Sequence, residues 1–88
     1  MHPSKVISPK SRLEASSLDV FYTHPNGWWS LARMKYDREN RIGIRWNGNI
    51  ENPDDLGNPV STGHATWFIL PVELGEPIEH FSKLFGNK

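Results

Sequence analysis

The chain contains no cysteine. Disulfides and Cys-based zinc sites are therefore excluded. Small secreted domains usually rely on disulfides, so a reducing, cytoplasmic setting is the expected one. Long hydrophobic runs are also missing. The apolar stretches fall far short of the roughly 20 residues that span a bilayer, and nothing resembles a signal peptide, so no membrane partner is expected. Glycine-rich phosphate loops, internal repeats and low-complexity blocks are absent, and the net charge is zero.

That neutrality hides an asymmetry. Residues 1–45 carry eight Lys/Arg and four Asp/Glu, whereas residues 46–88 carry two and six, giving +4 and −4. Such halves allow one copy to meet another, and a near-neutral chain has little colloidal repulsion to oppose association. With 88 residues, one domain is expected. A chain of this size buries only about 60–65% of its unfolded surface. Four tryptophans exceed what so small a core easily hides, and tryptophan is enriched at binding hot spots.

Residues 1–17 hold three Lys/Arg, two Pro and five Ser without periodicity, and read as a flexible N-terminal arm. The domain then runs from residue 18 to residue 88. Leu18 to Thr23 has the β-branched and aromatic content of a strand. His24-Pro25-Asn26-Gly27 is a turn. The stretches Trp28–Asp37 and Arg41–Trp46 form a hairpin.

Loop length sets the register of that hairpin. A two- or four-residue loop places Lys35 opposite Ile42 and Arg33 opposite Ile44, mixing charge with apolar side chains. A three-residue loop, Arg38-Glu39-Asn40, separates them. Tyr36 then faces Ile42, Met34 faces Ile44 and Ala32 faces Trp46, with Trp28 on the same core side. The opposite face carries Arg33, Lys35, Arg41 and Arg45, with Trp29 and Leu31 in line.

Residues 47–64 form a long polar loop, longer than the roughly 12–15 residues usual for structureless connections. Ala65 to Leu70 is an apolar central strand. A helix is predicted over about 77–85, with Pro77 at its first position, a docking stripe of Ile78, Phe81, Leu84 and Phe85, and Gly86 as cap.

The candidate chemistry is sparse. Arg33 opposite Arg45 is a like-charge pair that an anion would relieve, and Trp29 with Arg33, Lys35, Arg41 and Arg45 has the basic-aromatic character of sheets that bind nucleic acid. Trp46, Trp67 and His64 define an alternative aromatic pocket beside the loop. Glu51, Asp54 and Asp55 lack the alternate spacing of a calcium loop, and His2, His24, His64 and His80 form no closely spaced pair, so no metal or cofactor is expected. Ser30, Ser61 and Thr62 have no nucleophile motif around them, and no catalytic residue is assigned.

Arg41-Ile42-Gly43-Ile44-Arg45-Trp46-Asn47-Gly48, then Gly57-Asn58-Pro59, then Thr66-Trp67-Phe68-Ile69-Leu70-Pro71 give an order of motifs. It resembles a group of small bacterial proteins of mobile elements, of the phage and integron-cassette type, over roughly residues 28–74. That resemblance implies distribution rather than activity. The arrangement is also similar to SH3-like barrels at the level of fold alone. The expectation is thus a mainly β domain, a strongly bent antiparallel sheet or small SH3-like barrel of four or five strands with one C-terminal helix. The expected function is a non-catalytic interaction module, homo-oligomeric or bound to another protein. A nucleic-acid-binding accessory protein and a small-molecule site are the alternatives.

Overall fold

Two consecutive residues with positive φ, Asp37 (53°) and Arg38 (68°), make the tightest turn in the chain and organise its sheet. In a two-residue hairpin loop this conformation matches the right-handed twist of the flanking strands. In the computed structural model, which describes residues 1–84, the turn joins β2 (Trp29–Tyr36) to β3 (Glu39–Trp46). Together with β1 (Asp19–Thr23) and β6 (Phe68–Ile69) they form a four-stranded antiparallel sheet in the order β1-β2-β3-β6. A separate two-stranded ribbon pairs β4 (Val60–Ser61) with β5 (His64–Ala65). One helix, α1 (Gly75–Leu84), follows a 3-10 turn at Val72–Leu74. The architecture is mainly β with a C-terminal helix, and the sheet is open rather than a closed barrel. Among the described residues no helix is long and apolar enough to cross a membrane.

The tight turn corrects the predicted register. Ile42 lies opposite Arg33 rather than Tyr36, Ile44 opposite Leu31 rather than Met34, and Trp46 opposite Trp29 rather than Ala32. The displacement is three positions. Because side chains alternate between faces, an odd displacement moves all of β3 to the other side relative to β2. One face now carries Trp29, Leu31 and Arg33 with Ile42, Ile44 and Trp46. The other carries Ser30, Ala32, Met34 and Tyr36 with Arg45, Gly43, Arg41 and Glu39. Glu39 and Asn40, expected in the loop, are strand residues.

The second face is the core side. Ala32 and Met34 are buried there with Val6, Leu13, Ala65 and Trp67. Gly43 makes this packing feasible, because a Cβ at residue 43 would come within 3.0 Å of the Trp67 Cβ. Glycine inside a strand commonly marks such a close approach.

A third of this core comes from the segment expected to be a loose arm. Val6 and Leu13 are among its most buried side chains. The Trp67 indole Nε1 donates to the Val6 carbonyl (2.8 Å), and the Leu13 backbone bridges to Tyr36. The Met1 ammonium donates to the carbonyls of Asn47 (2.9 Å), Asn49 (2.7 Å) and Asp55 (2.7 Å). Partial burial lowers the pKa of that amine. Val6, with only Ile7 beside it, and Leu13 stand in a polar stretch, which leaves no periodicity to read.

The helix docks differently from the predicted stripe. It begins two residues earlier than expected, so Pro77 is its third residue. Gly75 lies against Ile42, Ser82 is buried, and Glu79 accepts from Arg33 Nε at 2.5 Å. Phe81 and Leu84 instead remain 50% and 70% exposed. Phe85 and Gly86 lie outside the described residues. A charge pair and small side chains therefore seat α1 across the Arg33–Ile42 end of the sheet's outer face.

Candidate binding groove

What α1 leaves uncovered is a groove of about 450 Å³. Alternation places Trp29 of β2 and Ile44 and Trp46 of β3 on the outer face, and pairing of β6 brings Phe68 opposite Ile44. The far wall is Asn58 and Pro59, tied to β3 by a reciprocal pair of backbone bonds: Trp46 N–H to Asn58 O (2.8 Å) and Asn58 N–H to Trp46 O (2.9 Å). Trp29 is braced from beside the groove by Tyr22, ring centroid 5.0 Å away at a tilt of 45°. Trp46 and Phe68 are each 60% exposed.

Arg45 also borders the groove, yet its side chain belongs to the other face. It is 1% exposed, and its guanidinium donates to the carbonyls of Leu56 and Thr66. Burial lowers its pKa. Its charge is thus spent on holding the 47–64 segment against the sheet. Next to it Asn47, fully buried, donates from Nδ2 to Gly27 O (3.0 Å) and Ser30 Oγ (2.9 Å). Ser30 Oγ in turn lies 2.8 Å from Thr23 Oγ1. The loop expected between Asn47 and His64 is thereby a folded segment pinned from beneath.

The residues predicted for a basic face do not share one. Trp29 is in the groove and Arg45 is buried under the sheet. Arg33 is bound by Glu79 and, at 3.0 Å, by Asp19, with its guanidinium 4.2 Å from the Phe21 ring centroid. Arg41 donates to Leu70 O at 2.8 Å. Arg33, Lys35 and Arg41 do border one cleft of about 610 Å³ beside the start of α1, but Glu76 and Glu79 border it too. The like-charge pair of Arg33 and Arg45 never forms, because the register places Arg45 opposite Ser30.

The alternative pocket divides as well. Trp46 lines the groove, Trp67 is buried in the core, and exposed His64 borders a different cleft with Ser8, Lys10, Ser61, Thr62 and Thr66. Trp28, expected inside, is exposed and stacks on His24 with 4.9 Å between centroids and planes 3° apart. In the acidic stretch, the Asp55 carboxylate accepts from the backbone N–H groups of Asn49 (2.9 Å) and Gly57 (3.3 Å), which lower its pKa. It caps its own loop. Among the described residues no three His, Cys, Asp or Glu side chains gather as a metal site.

Ile44, Asn58, Pro59 and Phe68 were not among the site residues expected from the sequence. A signal existed for Phe68. Trp67 and Phe68 are neighbours in an extended segment, so only one of them can enter the core.

No protein-family model matches the chain, and neither a curated protein nor a solved structure is similar to it.

Proposed function

We propose that this protein is a non-catalytic interaction module whose binding surface is the Trp29–Ile44–Trp46–Pro59–Phe68 groove. One observation carries the reading: the aromatic side chains of Trp46 and Phe68 stay exposed beside half-buried Trp29 around one groove of the sheet. Such side chains offer area and stacking geometry, and none of them transfers a proton or attacks a bond. Exposed apolar patches of this kind mark sites of association. The ligand chemistry that fits is apolar or aromatic. The nucleic-acid alternative has less support, because phosphate recognition depends on unpaired cations and Arg33, Arg41 and Arg45 are already engaged. Fold-level likeness to SH3-like proteins and kinship with mobile-element proteins are separate proposals on which this reading does not depend.

The four indole N–H signals give a direct test by NMR. Titration with a neutral aromatic fragment set is expected to move the Trp29 and Trp46 signals and to leave Trp67 in place. Unmoved Trp29 and Trp46 signals across the set would remove the groove as a binding surface.

A further inference from the structure

We infer that the cleft between the N-terminal segment and the β4–β5 ribbon is a second binding site, for a phosphate group carried on a small molecule. The cleft measures about 380 Å³ and shares no lining residue with the Trp29–Trp46 groove. The inference does not depend on that groove being occupied.

Three pieces of backbone place the side chains. In the ribbon, Ser61 lies directly opposite His64, so the two project from one face. Alternation adds Thr66 to that face and turns Ala65, which is buried, towards the core. Thr62 and Gly63, with φ of 48° and 78°, close the ribbon in a two-residue turn. The N-terminal segment runs alongside, with Ser8 bridged to Thr66 in parallel. Beyond it the Pro9 carbonyl accepts from the N–H groups of Arg12 (3.1 Å) and Leu13 (2.9 Å). That turn sets exposed Lys10 at the rim.

The lining is rich in donors. Ser8, Ser61, Thr62 and Thr66 offer four hydroxyls, His64 a ring N–H and Lys10 an ammonium. None of these six side chains makes a hydrogen bond or ion pair with another described residue. No Asp or Glu lines the cleft. Of the carboxylates in the neighbouring cleft that Lys10 also borders, Asp37 is held by Arg12 and Glu14 makes no ion pair with Lys10. A second positive charge lies behind. Buried Arg45 donates to the Thr66 carbonyl, and among the described residues no carboxylate pairs with it. Its hydrogen bonds are used, but its charge is not cancelled. Buried charges are screened little by salt, so Arg45 adds positive potential on the Thr66 side of the cleft.

Such a lining selects its ligand. A metal cation finds no counter-charge. A sugar finds no Trp, Tyr or Phe ring to stack on. A carboxylate brings two acceptor oxygens, whereas a phosphate monoester brings three, which suits a donor set spread over three backbone segments. Hydrogen bonds to ionised oxygens are about twice as strong as neutral ones. The volume is that of a small-molecule site, for which ~300 Å³ is the lower end, and Pro9 gives an apolar wall to the group that carries the phosphate.

Amide NMR titrations of the full chain, at fixed pH and ionic strength, test the proposal with inorganic phosphate, glycerol phosphate and sodium chloride. Saturable shifts at Lys10 and residues 61–66 are expected with both phosphates, tighter with glycerol phosphate, and no saturation with chloride. Lys10→Met keeps most of the stem and removes the charge, and is expected to weaken binding at least about tenfold. Thr66→Val, which keeps the shape and removes a hydroxyl, is expected to weaken it severalfold without any change of charge. Lys5→Met alters an exposed lysine outside the cleft and should bind as the parent does. Absence of saturation with either phosphate overturns the site. Equal weakening in K5M and K10M overturns it too, since that marks general attraction of anions to the chain. Glycerol phosphate binding no tighter than inorganic phosphate overturns the carrier molecule and makes free phosphate the ligand.

Discussion

Gly43 lies directly against Trp67, with room for a hydrogen and no more. A Cβ there would meet Met34 Cε at 2.9 Å and Trp67 Cβ at 3.0 Å. The first of these atoms ends a flexible side chain and can yield, whereas the second is fixed to the backbone of the central core residue. Gly43→Ala is therefore expected to destabilise the fold by about 1–3 kcal/mol. Urea unfolding monitored by circular dichroism measures this, and an unchanged midpoint would show that Trp67 is freer to move than its packing indicates.

Arg38 holds φ at 68°. The left-handed region costs an L-residue about 1–2 kcal/mol, and glycine recovers most of this while losing some chain entropy. Arg38→Gly is expected to stabilise the protein by about 0.5–1 kcal/mol. A raised urea midpoint with an unchanged slope is the expected reading.

Asn47 is a donor to two acceptors, Gly27 O and Ser30 Oγ. Replacing it with Asp keeps the shape and turns the donor into an acceptor facing a carbonyl. Loss of buried partners costs about 1–3 kcal/mol, and burial raises the pKa of the new carboxyl. The variant's deficit should therefore be smallest in acid, below the unfolded-state pKa, and should grow as pH rises. Thermal melts from acid to neutral pH check this, and a deficit independent of pH would count against it.

Asp55 has the opposite sign. Its backbone donors, Asn49 first and Gly57 second, hold its pKa below the ordinary 3.8. A depressed acid contributes stability above its unfolded pKa and loses it as pH falls through the folded value. Asp37, held low by Arg12, adds a loss of the same sign. The melting temperature should decline below about pH 4. The decline should be shallower in Asp55→Asn, and an unaltered acid limb in that variant would exclude Asp55 as a contributor.

The class of fold was legible because composition and alternation report local structure. Strand β1, the two hairpin strands and the terminal helix carry such signals, whereas the expected central strand Ala65–Leu70 is divided between β5 and the edge strand β6, with Trp67 in neither. Register was not legible. It depends on a turn at Asp37-Arg38 whose second residue does not advertise positive φ, and on a buried Arg45 that hydrophobic patterning assigns to solvent. Gly43 did hold a clue, since a strand glycine marks close approach. The candidate groove was half visible: Trp29 and Trp46 were named, in separate sites, and only the true register joins them. Val6 and Leu13 were illegible for another reason. Apolar residues this sparse have no period, and their burial is decided by partners far along the chain.

That distance has a kinetic side. The Val6 carbonyl waits for an indole 61 positions later, and the Met1 amine for carbonyls up to 54 positions away. During vectorial synthesis Val6 can find its place only after Trp67 has left the ribosome. High contact order slows folding, so the nascent chain carries Val6 uncovered while the hairpin is already paired, and that segment stays open to capture until Trp67 arrives.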